Sequence, residues 1–308
     1  MGRTARTLGA LMAVVVVGAL VVRFIVHDEA GRSTTTVAVE PSAHFVPTDD
    51  TRPIRALSSG VDTALAVGDD GLVLRRRGAG WKQDGSPTHA VLRGVAQQLD
   101  EAVAVGDSGT MIEYEGAWKV ASSPTTRTLR AVAYTSYGVV VVGDGGTLVR
   151  RAAAHEAWKL ETSGTTDDLY GVCAGLRDVW IVGAAGRILF RKDNAWVLDQ
   201  RTNVVLRAVA CDDDAAIAVG DTGTILERQG GVDWHEVASG TTRDLFAVGS
   251  PFGSRSWLVV GARGTAVRMS VTPLAESTGV EWDLDAVTEG PLGTWVGGAR
   301  GLLRPNPR

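Results

Sequence analysis

A four-residue signature recurs seven times, and its second position carries the side chains best able to do chemistry. The copies are Ile54-Arg-Ala-Leu57, Leu92-Arg-Gly-Val95, Leu129-Arg-Ala-Val132, Leu169-Tyr-Gly-Val172, Leu206-Arg-Ala-Val209, Leu245-Phe-Ala-Val248 and Leu284-Asp-Ala-Val287. The second residue is Arg55, Arg93, Arg130 and Arg207 in four copies, and Tyr170, Phe246 and Asp285 in the others. Like charges crowded at one level of a partly dehydrated channel are costly until something neutralises them. Four such arginines, with two aromatic rings beside them, are therefore a candidate site for an anion or an acidic peptide. The alternative is structural: each arginine pairs with a nearby carboxylate.

A second series is acidic. Asp69, Asp107, Asp144 and Asp221 each sit in a Gly-Asp-x-Gly element. Ordered aspartates invite a calcium hypothesis, yet each turn offers one carboxylate where calcium takes six or more oxygens. Asp followed two residues later by Gly suits a tight hairpin, with the carboxylate bonding backbone amides and the glycine taking a positive φ. Asp212, Asp213 and Asp214 read as a solvated loop. His27, His44, His89, His155 and His235 form no ligand spacing. No metal, cofactor or catalytic set is expected. Cys173 and Cys211 are the only cysteines; they form one disulfide in an exported chain, or remain two buried thiols.

The elements that would position these groups follow from the repeat. A Gly-x-x-Gly turn begins at Gly68, Gly106, Gly143, Gly183, Gly220, Gly261 and Gly298, so the spacing is 37 to 41 residues. The last signature residue precedes its turn by eleven positions in six repeats and thirteen in the other. Each repeat reads as four short strands: the signature, a near-continuous apolar run such as Val139-Val-Val-Val142, a strand after the turn, and a strand beginning near Trp81, Trp118, Trp158, Trp196 or Trp234. Unbroken β-branched runs of this length fit strands covered on both faces. Four antiparallel strands per repeat, seven times over, predict an all-β, seven-bladed β-propeller. The last repeat meets Pro305 and Pro307 after its third strand, and proline supplies no ladder donor. Counting back from Ile54 puts the missing strand at Ala43-His-Phe-Val-Pro47, which would sew the two ends together and cover an edge. The tryptophans are expected to cover gaps between blades, with Trp180, Trp257 and Trp295 in the core.

Ahead of the repeats, Leu8 to Val26 is apolar apart from Arg23. It approaches the ~20 residues that cross a bilayer, with Arg3 and Arg6 on the side kept inside. No small-x-small cleavage site follows, so a signal anchor is expected rather than a cleaved signal. The expected organisation is a cytoplasmic N-terminus (1–7), a transmembrane signal anchor (8–26), a tether (27–42) with a stray strand at Thr36–Val39, the propeller (43–304) and a tail (305–308). The propeller would then lie on the periplasmic or extracellular side.

Trp234-His-Glu-Val-Ala-Ser-Gly-Thr-Thr-Arg-Asp-Leu245, and Trp158 to Leu169 with Ser163-Gly-Thr-Thr166, resemble the photosystem II stability/assembly-factor type of propeller. That family is related to bacterial neuraminidase (Asp-box) repeats. The resemblance spans about residues 43–304 and implies a binding platform for assembling complexes. The residues before the tryptophans depart from Asp-x-Gly-x-Thr-Trp, as in Gly78-Ala-Gly-Trp81 and Asn194-Ala-Trp196. Nothing in the chain indicates photosynthesis. A net charge of −4 excludes the basic footprint of a nucleic-acid binder. The expectation is a non-catalytic scaffold for a protein partner, acidic or membrane-embedded. Alternatives are a lectin, which would show repeated exposed aromatics, and a sialidase- or lyase-type enzyme. Tyr114, Tyr134, Tyr137 and Tyr170 show no sequence pairing with a glutamate, and the loops leave little material for an active-site rim.

Overall fold

A computed structural model describes residues 23–27, 33–37, 45–47, 51–78, 80–175, 178–192, 195–212, 215–230, 232–249, 256–269 and 273–305. Blade 1 is Ile54–Ser59, Ala64–Gly68, Val73–Arg77 and Gly80–Gln83, four antiparallel strands in chain order. Blades 2 to 6 repeat that order, with first strands Leu92–Gln98, Leu129–Thr135, Leu169–Ala174, Leu206–Cys211 and Leu245–Gly249. Blade 7 is Leu284–Thr288, Trp295–Gly298 and Gly301–Pro305, completed by Phe45–Pro47 from the other end of the chain. The closing register is Phe45 opposite Pro305, Val46 opposite Arg304 and Pro47 opposite Leu303. The first strands of successive blades are neighbours all the way round, blade 7 against blade 1 included, which places them innermost.

The apolar second strands explain this arrangement. In blade 3, Val139 and Val141 pack toward blade 2, whereas Val140 and Val142 pack toward blade 4. All four are buried. The core is accordingly a set of layers, one between each pair of adjacent blades. The tryptophans close the outer ends of these layers as expected. Trp118 Nε1 donates to Asp84 of blade 1 at 3.0 Å, Trp158 to Glu113 of blade 2 at 2.6 Å, and Trp196 to Glu161 of blade 3 at 3.1 Å. Trp180, Trp257 and Trp295 are buried on second strands.

The turn between second and third strands needs its glycine twice over. Asp70 and Gly71 both have positive φ, 54° and 64°, and the Leu72 amide donates to the Asp69 carbonyl at 3.1 Å. That is a type I′ turn, whose twist matches the flanking strands. A β-carbon on Gly71 would also stand 1.8 Å from the Thr88 carbonyl oxygen.

The chain ahead of the propeller forms a separate unit, Met1–Ser42. Residues 1–22, including most of the expected span, lie outside the described residues. Within it, Arg23–His27 pairs antiparallel with Ser33–Val37. The last residues of the expected helix are thus extended, and the stray strand falls at 33–37 rather than 36–39; the β-branched residues there suit a strand. No described helix is long and apolar enough to cross a membrane.

Cys173 and Cys211 are bonded, with Cα atoms 5.8 Å apart. They tie the first strand of blade 4 to that of blade 5. Replacing both by serine should cost ~2–4 kcal/mol in denaturant unfolding. Deleting residues 43–48 should lower the melting temperature by many degrees, because it strips the outer edge of blade 7 and its share of the ring closure. An unchanged melt after that deletion would refute the closure.

Candidate functional site

The signature's second residue occupies one special place in every blade. The pairing of first and second strands slips by one residue there in all seven: Leu92 faces Gly106 but Gly94 faces Val105, and Leu129 faces Gly143 but Ala131 faces Val142. Arg55, Arg93, Arg130, Tyr170, Arg207, Phe246 and Asp285 are therefore the extra residues of seven β-bulges. A bulge leaves its residue out of the ladder and re-aims its side chain. The small third residue has its own cause: a β-carbon on Gly94 would lie 2.9 Å from the Arg130 carbonyl oxygen of the next blade.

Each bulge arginine meets the aspartate of its own blade's turn. Arg55 Nε donates to Asp69 at 2.8 Å, and Arg93 donates to both oxygens of Asp107, at 2.5 and 3.1 Å. Arg130 pairs with Asp144, and Arg207 pairs with Asp221 through Nε and, at 3.2 Å, through Nη2. The turn carboxylates thus face guanidiniums instead of the backbone amides the spacing suggested. The structural alternative for the arginines is the one realised. Where the bulge residue is Tyr170, Phe246 or Asp285, the turn carries Ala184, Ala262 or Ala299. Arginine and aspartate occur together or not at all, because either alone would leave a half-buried charge without a counterion.

The three exceptions make the ring asymmetric. The Arg130 guanidinium lies 5.0 Å from the centre of the Tyr170 ring, and that of Arg207 lies 5.5 Å from the Phe246 ring. Asp285 reaches across the seam between blades 7 and 1 to Arg55 Nη1 at 3.1 Å. Burial pushes its carboxyl above the usual range, with Arg55 opposing and Asp283 adding to the rise. Asp69 is held below that range, chiefly by the hydrogen bond from Arg55.

The enzyme and lectin alternatives gain nothing from this geometry. Burial pushes the Tyr134 hydroxyl up to about 12, and it has no hydrogen-bond partner among the described residues. That is the reverse of an activated phenolate. Tyr114 lies under Arg75 and Tyr137 under Arg191. No described group of His, Cys, Asp or Glu could hold a metal ion. Trp118, Trp158 and Trp234 are buried, and Trp81 and Trp196 half-buried, so they do not form the exposed aromatic series of a lectin.

Blade count, closure and bulge ring define the molecule as a seven-bladed β-propeller with a charged and aromatic collar at one end of its axis. Solved structures similar to it include "YCF48 bound to D1 peptide", with TM-score 0.69 and 13% identity over 86% of this chain and 94% of that one. YCF48 from Cyanidioschyzon merolae follows, with TM-score 0.65 and 17% identity over 85% of this chain and 98% of that one. The WD40 β-propeller domain of Doa1 has TM-score 0.65 and 12% identity over 83% and 93%. The resemblance to photosystem II assembly-factor propellers is thus met in the fold. No protein-family model matches the sequence. No curated protein matches it either.

The pairs are testable. A double-mutant cycle on Arg130→Ala and Asp144→Ala should give a coupling of ~0.5–1 kcal/mol, the range for partly exposed pairs. The two carboxylates of the seam should respond oppositely to pH. Asp69, with its pKa lowered, contributes stability that is present at neutral pH and lost as pH falls through its folded pKa. Asp285, raised, contributes stability that is full in acid and lost as pH rises through its folded pKa. Asp69→Asn should therefore lower the melting temperature at neutral pH by more than Asp285→Asn does, and the Asp69 deficit should shrink in acid.

Proposed function

We propose that the chain is a non-catalytic protein-binding scaffold, held at a membrane outside the cytoplasm, with the bulge collar as a partner-contacting surface. The observation that carries this reading is the collar itself. Its guanidiniums and aromatic rings are half-buried, fixed by bulges on a rigid ring, and gathered at one end of the axis. Arginine and aromatic side chains held in place are the groups that anchor protein interfaces. The structurally similar YCF48 was solved with a D1 peptide, which supports peptide recognition on this architecture. The Cys173–Cys211 bond suits an oxidising compartment. The apolar 8–26 run and its flanking arginines support a membrane tether.

The collar's own chemistry changes the expected partner. Each arginine is neutralised within its blade, so unpaired positive charge is no longer a reason for an acidic ligand there. Contact by planar stacking on Tyr170 and Phe246, and by hydrogen bonds to the outer edges of the ion pairs, fits it better.

Crosslinking in the native cell followed by affinity capture of the full chain would test the reading. Tyr170→Ala with Phe246→Ala should lose the captured partner while the melt stays near that of the parent. Arg93→Ala with Arg130→Ala should lose it too, with a lower melt from the stranded aspartates. Capture retained by both double variants would dismiss the collar as the contact surface.

A further inference from the structure

A groove of about 750 Å³ lies along the turn and the third and outer strands of blade 6, between the loops that enter and leave that blade, at the same end of the axis as the collar. Its lining includes Arg243 from the loop entering blade 6, and Arg263 from the turn of that blade. Thr265 and Val267 of the third strand, and Glu276 and Glu281 beyond it, complete the part that matters. Among the described residues neither guanidinium meets a carboxylate. Arg243 Nη1 reaches only the Arg263 carbonyl and Thr265 Oγ1, both at 3.4 Å, outside the normal hydrogen-bond range. Arg263 stands at the first central position of the type I′ turn with φ 51°, a conformation costly for any residue with a β-carbon. Its side chain is exposed.

Comparison within the chain shows that this is not what the fold requires. In blade 3 the position of Arg263 is Gly145, which carries no charge, and Arg127 Nη1 donates to the Gly145 carbonyl at 2.6 Å. Between blades 3 and 4 a groove of about 590 Å³ contains Arg187, but Asp167 binds that guanidinium at 2.6 Å. Among the described residues the groove of blade 6 thus holds two cations left open by the chain's own acids, in a molecule whose net charge is −4. Of its lining carboxylates, Glu276 is already engaged by Arg268 at 3.1 Å, and Glu281 makes no ion pair among the described residues. The groove runs along the third and outer strands of blade 6, past Ala266, Val267 and Ala275, on an extended path.

We infer that this groove binds an extended acidic segment of a protein partner, with carboxylates seated between Arg243 and Arg263. The inference rests on the scaffold reading above and adds a second contact, of opposite character to the neutralised collar. Charge complementarity of this kind sets specificity and association rate more than bulk affinity.

The test uses the purified full-length chain and a fluorescent polyglutamate peptide, with polylysine as the control, read by anisotropy at low and high salt. Polyglutamate should bind in a salt-sensitive way, and polylysine should bind far less. Arg243→Glu with Arg263→Glu should weaken polyglutamate binding at least about tenfold, with the melt near that of the parent, because among the described residues neither guanidinium has an ion pair to lose and Arg243 gives up only two long contacts. Equal affinity in the charge-reversed variant, no polyglutamate binding, or a loss confined to Arg93→Ala with Arg130→Ala would overturn the inference. The last outcome would move the acidic contact to the collar and leave the scaffold reading standing. Polyglutamate binding as expected, with no protein captured in the cell, would sink the scaffold reading and keep the anion-binding groove.

Discussion

Both faces of each blade's second strand are apolar, and one sheet of four strands cannot cover both. Leu65 and Val67 point to blade 2 while Ala66, joined by Leu74 of the third strand, points to blade 7, and all are buried. Each such side chain gains roughly 1.5–3 kcal/mol by leaving water if it is as large as leucine or valine. The gain is realised only when a neighbour is present on each side, so an open arc would leave one such face wet at each end. Ring closure is therefore the constraint from which the rest follows. It explains why the final blade takes its fourth strand from the beginning of the propeller, and why Asp285 and Arg55 meet across the seam.

The bulges are a second consequence. Seven first strands crowd around one axis, and small residues such as Gly94 and Ala131 let adjacent strands approach. The slip in register releases the residue before the small one from the ladder and turns its side chain toward the Gly-x-x-Gly turn. Four blades fill that position with an arginine–aspartate pair. The others use aromatics, or an aspartate that borrows an arginine from the next blade. The collar is structural in origin, since its pairs tie each first strand to its own turn. Its outer edges and rings remain available at the surface.

Much of this was legible in the residues. Glycine spacing, the continuous valine runs and the phase of the tryptophans carry fold and blade number, because each answers to a local requirement of turn, burial or gap. The closing strand followed from counting, since Pro305 ends the last repeat one strand early. The bulges were not legible: a one-residue slip leaves no mark in hydrophobic pattern when both faces are apolar. One signal was present and went unread. Arg55, Arg93, Arg130 and Arg207 occur only in the repeats with Asp69, Asp107, Asp144 and Asp221, and such co-occurrence inside one chain is the mark of contact. The cysteine bond stayed open for a different reason, because pairing across blades depends on where strands end rather than on spacing. Arg243 and Arg263 read as ordinary loop residues; what sets them apart is that neither guanidinium pairs with a carboxylate among the described residues.

The molecule is best regarded as a rigid ring that presents two unlike surfaces at one end, a neutralised collar on the axis and a cationic groove farther out. Rigidity matters to both, since contacts held in place cost little ordering on binding. All of it presumes that head and tail meet within blade 7. The most direct test is to place cysteines at Val46 and Arg304, which face each other in the closing register, and to oxidise the folded protein. Closure predicts an intramolecular crosslink that alters mobility on a non-reducing gel and survives dilution. Cysteines that stay free, or link only between molecules, would contradict it.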